Sequence, residues 1–165
     1  MSVSDEPRQS LKELDAFKAE HKPKNAKVVR YKAPAEIKRS RSFVPLVRSD
    51  IMIAMVQIIS KGGEQELHSH GAFDGFWFVL RGRAKFYGKG DVIIADIGEH
   101  EGIFIPRDFL YWFESSGDPP LEILQVEAID KTAKATYHAP HRNEPGKVDV
   151  FSPEGEILAA GVVAE

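Results

Sequence analysis

The chain has 165 residues, a formal net charge of −3 and no cysteine. That length suits one domain with a core of its own, and the lack of cysteine excludes disulfides and thiolate catalysis. A slightly acidic balance argues against bulk attraction to nucleic acid. The polar start, MSVSDEPRQS, is followed by no apolar stretch of signal-peptide type, and the longest apolar run, Ile51 to Ile59, is broken by Gln57. A soluble, cytoplasmic protein with no membrane partner is therefore expected.

Ser10 to His21 reads as a short helix, with Ser10 as cap and Leu11, Leu14 and Phe17 near one face. Lys22-Pro23-Lys24-Asn25 ends it. The stretch Lys22 to Arg41 is rich in Lys and Arg and carries a single acid, Glu36. Only one aromatic residue, Tyr31, is interleaved, too few for base stacking, so a solvated arm over the domain is preferred to a nucleic-acid contact. From Val28 onward the pattern is β. The predicted strands are Ser42 to Val47, Ile51 to Ser60, Gln65 to Ser69, Gly75 to Arg81, Arg83 to Tyr87, Asp91 to Ala95, Gly102 to Ile105, Leu110 to Glu114 and Leu121 to Ala128. Asp130 to Lys147 reads as irregular, and a last hairpin is expected around Ser152 to Gly155. Many short strands without a long internal helix predict an all-β protein, a single antiparallel barrel or jelly roll with a short N-terminal helical extension. The expected division is an extension over 1–41, the barrel over 42–130 and a C-terminal segment packed on it over 131–165.

The sharpest local feature is His68-Ser69-His70. Residues two apart on a strand point to one face, so both imidazoles enter the same space and can share a metal ion. Alternation puts Glu66 on that face as well. The bland alternative is an exposed strand face.

Gly62, five intervening residues, His68-Ser69-His70 and the later Gly82 resemble the first motif of the cupin superfamily, G-x5-H-x-H-x3,4-E-x6-G. Phe104-Ile105-Pro106 through Ser115 is similar to the second motif, G-x5-P-x-G-x2-H-x3-N. The resemblance runs over residues 50 to 128 and implies an RmlC-like cupin jelly roll, a homodimer and a metal site. Four motif positions depart from the pattern. The glutamate position holds Gly75, with Asp74 beside it. The second-motif histidine position holds Tyr111, and the glycine and asparagine positions hold Asp108 and Ser115.

Three readings follow. In the first, His68, His70 and Tyr111 hold a divalent metal such as Fe, Zn, Ni or Mn, and Asp74 or water completes the shell if the strand bulges. In the second there is no metal, and a histidine acts as general base with Tyr111 as general acid. In the third the pocket binds a small ligand without chemistry. The candidate catalytic side chains are Tyr111 and Glu66. Trp77, Val79, Gln57 and Gln125 are the candidate pocket walls, each also readable as core or surface. Phe104, Phe109, Trp112 and Phe113 read as core or dimer interface. His100 reads as exposed, and His138 and His141 lie in a segment able to fold over the mouth. The leading expectation is a metal-dependent enzyme of dioxygenase, isomerase or lyase type acting on a small organic molecule. The alternative is a metal-free or non-catalytic cupin that binds a small-molecule ligand.

Overall fold

Strands form where apolar side chains alternate with polar ones and turns are marked by Gly, Asp or Pro. The computed structural model describes residues 25–61, 66–141 and 146–163. The predicted N-terminal helix, His21 and motif residue Gly62 lie outside the described residues. The strands are β1 (Arg41–Arg48), β2 (Met52–Ile59), β3 (Ser69–His70), β4 (Phe73–Arg81), β5 (Ala84–Tyr87), β6 (Ile93–Ile97), β7 (Gly102–Ile105), β8 (Trp112–Ser115), β9 (Leu121–Ile129), β10 (Tyr137–His138), β11 (Lys147–Phe151) and β12 (Ile157–Val163). They make a seven-stranded sheet in the order β12-β11-β1-β2-β9-β4-β7, a three-stranded sheet β6-β5-β8, and the short pair β10-β3. The protein is all-β among its described residues, as the sequence predicts, and the architecture is that of a jelly roll.

Register decides what the inner face of the large sheet presents. Ile59 lies opposite Leu121, Val79 opposite Ile123, Trp77 opposite Gln125 and Gly75 opposite Glu127. One end of this face is apolar: Ile59, Val79, Leu121 and Ile123 pack with Phe86 and Phe113 of the small sheet, all fully buried. The other end carries Gln57, Gln125 and Glu127, buried but polar. The interior is therefore graded from a dry floor to a polar mouth.

The opposite face of the sheet has its own core. Val44, Val56 and Ile58 pack with Phe151 and Leu124, and Tyr31 and Ile37 close over them. The basic segment supplies that cover. Tyr31 Oη donates to Glu122 at 2.7 Å, Lys32 N–H donates to the Pro153 carbonyl at 2.8 Å, and Arg39 pairs with buried Asp149 at 2.9 Å.

β1 begins at Arg41, which pairs with Ile59. β11 runs parallel to β1, Ser42 against Asp149, and β12 completes the sheet edge. At the β4–β5 hairpin the backbone of Gly82 has φ +82°, and a Cβ there would meet the Pro119 and Pro120 carbonyl oxygens at 3.1 Å. That crowding and the positive φ together account for glycine at the end of the first motif.

Candidate functional site

His68 and His70 come together at the polar mouth. Their rings stand 4.9 Å apart and nearly perpendicular, at 85°. His68 is fixed on both sides of its backbone, since His68 and Tyr111 exchange N–H···O bonds of 3.0 and 2.9 Å. That bridge also brings the Tyr111 ring to 4.6 Å from the His68 ring. The turn that delivers Tyr111 uses Asp108 where the motif has glycine. Asp108 adopts φ +63°, a left-handed conformation that Asp tolerates better than most residues, and donates its N–H to the His70 carbonyl at 2.8 Å.

The His68 Nδ1–H donates to the Glu66 carbonyl at 2.7 Å, which leaves Nε2 as the ring's outward lone pair. Burial lowers the pKa of His68, and burial together with His68 lowers that of His70 to about 4. Both imidazoles are therefore neutral at physiological pH. Burial raises the Tyr111 phenol well above its ordinary pKa, so it stays protonated.

Gln57 and Gln125 both turn inward and form a chain with two charged residues. Arg41 Nε and Nη2 donate to Gln57 Oε1 at 3.3 and 3.2 Å. The Gln57 amide then donates to Gln125 Oε1, and the Gln125 amide donates to Glu127 Oε1. Burial raises the Glu127 carboxyl to about 7. Arg41 and Glu127 were not among the candidates from sequence, because a charged residue near a strand end reads as solvent-facing. Glu127 had one signal: it follows Gln125 by two on the same strand face.

The segment after β9 crosses the mouth as a strap. Its base is anchored where Arg107 pairs with Asp130 at 2.6 Å, and its course is fixed where Gly71 N–H donates to the Thr136 carbonyl at 2.9 Å. β10 then pairs Tyr137 with His70 and His138 with Ser69. The Tyr137 ring stacks on His68 at 5.2 Å and 22°, and its hydroxyl donates to the Glu66 carboxylate at 2.9 Å. Tyr137, not His138 or His141, is the strap residue that meets the histidine pair, and the latter two are exposed. His100 is exposed too, at φ +66° in the turn before β7.

Other candidates sit elsewhere. Asp74 is turned away from the pair: it accepts the Arg107 backbone N–H at 2.9 Å and faces the Arg107 guanidinium at 3.5 Å. Strand alternation causes this, since its neighbour Gly75 takes the inner face. Glu66 contributes its carbonyl to His68 and its carboxylate to Tyr137 from a loop, not from strand alternation. Val79 lies in the dry floor, away from the polar mouth. Phe113 belongs to the core, while Phe104 and Phe109 are largely exposed and Trp112 stacks on Tyr87 at 4.2 Å.

Trp77 holds the most consequential position. It is fully buried, and an added Cβ at Gly75 would meet its ring carbons Cζ3 and Cη2 at 2.2 and 2.3 Å. The indole thus fills the volume into which the motif glutamate would reach. With His70, Phe73, Ile105, Phe109 and Tyr111 it encloses an inner slot with no room for a water-sized body. A second pocket of about 230 Å³ opens beside it, between His70, Ala72 and Phe73 on one side and Ala135, Thr136 and Tyr137 of the strap on the other.

Solved structures with the same path of chain share this architecture. A Klebsiella pneumoniae protein with a double-stranded β-helix domain is 18% identical, over 68% of this chain and 87% of that one, with a TM-score of 0.53. The cupin domain of Cnp3 from Schizosaccharomyces pombe is 14% identical, over 59% of this chain and 71% of that one, with a TM-score of 0.52. The fold is that of the cupins. The DMSP lyase DddQ from Ruegeria pomeroyi is also similar, at 19% identity over 61% of this chain and 52% of that one, with a TM-score of 0.50. Identities this low speak for the fold alone. No family model and no curated protein sequence matches the chain.

The cupin motifs imply a metal held by imidazoles and a carboxylate, and the residues here do not complete that site. The carboxylate's space is filled by Trp77, and the second-motif position offers a buried phenol. Among the described residues no three His, Cys, Asp or Glu side chains gather as a metal-binding group. Nor is any helix among them long and apolar enough to cross a membrane.

Proposed function

We propose that this chain is a cupin-fold protein that binds a small, partly aromatic organic molecule at the polar mouth without a resident metal. The observation that carries the reading is the Trp77 indole lying over Gly75, which removes the carboxylate from the ligand set and lines the interior with ring surface. The ligand would enter by the pocket of about 230 Å³ under the strap, where neutral His70 offers a ring nitrogen and Phe73 offers a face. Polar groups few in number on apolar walls are what small-molecule pockets commonly present.

The test is a binding screen of small aromatic acids, amides and alcohols against untagged protein, with and without a strong chelator. Binding should persist in the chelator and weaken in His70→Ala. Binding that appears only after metal is added would overturn this reading. It would favour a second one, a metal enzyme with His68, His70 and Tyr111 as ligands. The observation behind that second reading is the His68 Nδ1–Glu66 carbonyl bond, a common way to orient a metal-binding imidazole.

A homodimer is proposed as the working assembly. Phe76 and Phe104 face each other across β4 and β7 on the outer side, 43% and 58% exposed, at the edge of the large sheet. Adjacent exposed rings of this size favour burial against a second surface.

A further inference from the structure

We propose that the ligand of this polar mouth is a small aromatic carboxylate, whose ring replaces that of Tyr137 on His68 and whose carboxylate is met by Arg41. This rests on the small-molecule reading above and names its substrate class.

Arg41 is the first residue of β1 and points to the inner face with Gln57. Among the described residues, Arg39, Arg81, Arg83 and Arg107 each have an acidic partner, and Arg41 has none within ion-pair distance. It spends two N–H groups on one oxygen, Gln57 Oε1, and stacks its guanidinium 4.7 Å over the Phe43 ring. A guanidinium has five donors in a planar fork that matches a carboxylate. Cations withdrawn from water are normally paired. Burial accordingly lowers the pKa of Arg41 to about 10, and its charge is felt at His68 and Tyr111.

Tyr137 supplies the template for the rest of the ligand. Its ring lies on His68 at 5.2 Å and edges His70 at 5.3 Å, yet it is 47% exposed and reaches the mouth from a two-residue strand. A free aromatic ring with one polar end would make the same stacking contacts. The carboxyl groups of Glu66 and Glu127 disfavour a dianion here, so a monocarboxylate is preferred over a phosphate ester.

The experiment is calorimetric titration of the full chain with benzoate and with benzamide, an uncharged analogue of nearly the same shape. Wild-type protein should bind benzoate about tenfold or more tightly than benzamide, the worth of one charge-assisted contact. Arg41→Gln should abolish that preference while retaining the wild-type circular dichroism spectrum, and Tyr137→Ala should bind benzoate more tightly than wild type. Equal affinity for the two compounds in wild type would overturn the assignment of Arg41 and leave the small-molecule reading standing. If neither compound binds even to Tyr137→Ala, the inference fails together with the reading it rests on.

Discussion

Gly75 and Trp77 are packed so closely on β4 that neither can change alone. A methyl group at position 75 would meet the indole at 2.2 Å, so Gly75→Ala should cost about 1–3 kcal/mol in urea unfolding as the ring is forced aside. Pairing it with Trp77→Leu should recover part of that loss. Glu127 gives a pH-dependent prediction. Its folded pKa is about 7 against an ordinary 4.5, so the folded state holds the proton more tightly than the unfolded chain. Stability from this group is therefore unaffected below about 4.5, falls as pH rises toward 7, and stays reduced above it. Glu127→Gln should then stabilise the protein by about 1–3 kcal/mol at pH 8 and by little at pH 4.5, measured by denaturant unfolding at each pH. At this scale the sequence was partly legible. His68 and His70 stand out because a two-residue spacing on a strand puts both on one face. Gln57 and Gln125 stand out because they interrupt apolar strands. Arg41 and Tyr137 did not, since their roles come from elements distant in sequence meeting at the mouth.

The strap is the element on which access depends. Asp74, Arg107 and Asp130 form its anchor, and Asp130 is also bound by the Thr132 hydroxyl and N–H. Arg107 is partly exposed, so its ion pairs add little to global stability. Arg107→Ala should leave the melting temperature within a few degrees of wild type. It should speed hydrogen exchange at the Gly71 and Asp130 amides, which donate to Thr136 and Ala72. Unchanged exchange there would mean that the β10–β3 pairing holds the strap unaided. The sequence gives only an irregular stretch from Asp130 to Lys147, because a two-residue strand carries no periodicity to read. The longer strands were legible to within two residues, as in Met52–Ile59 and Leu121–Ile129, since alternation and turn residues act locally.

For the whole molecule, the cupin-like fold could be read from motif spacing, while the parallel pairing of β11 with β1 could not, being a long-range contact without a local signature. Phe76 and Phe104 predict a dimer through the outer edge of the large sheet. Light scattering should give twice the chain mass for wild type and a shift toward monomer for Phe76→Ser/Phe104→Ser. The central claim is that the graded interior ends in a ligand mouth and not in a metal centre. Elemental analysis of untagged protein, beside a His68→Ala/His70→Ala variant and after incubation with Fe, Ni, Zn and Mn, tests it most directly. The account predicts metal well below one equivalent in both proteins. Near-stoichiometric metal in wild type that disappears in the variant would contradict it.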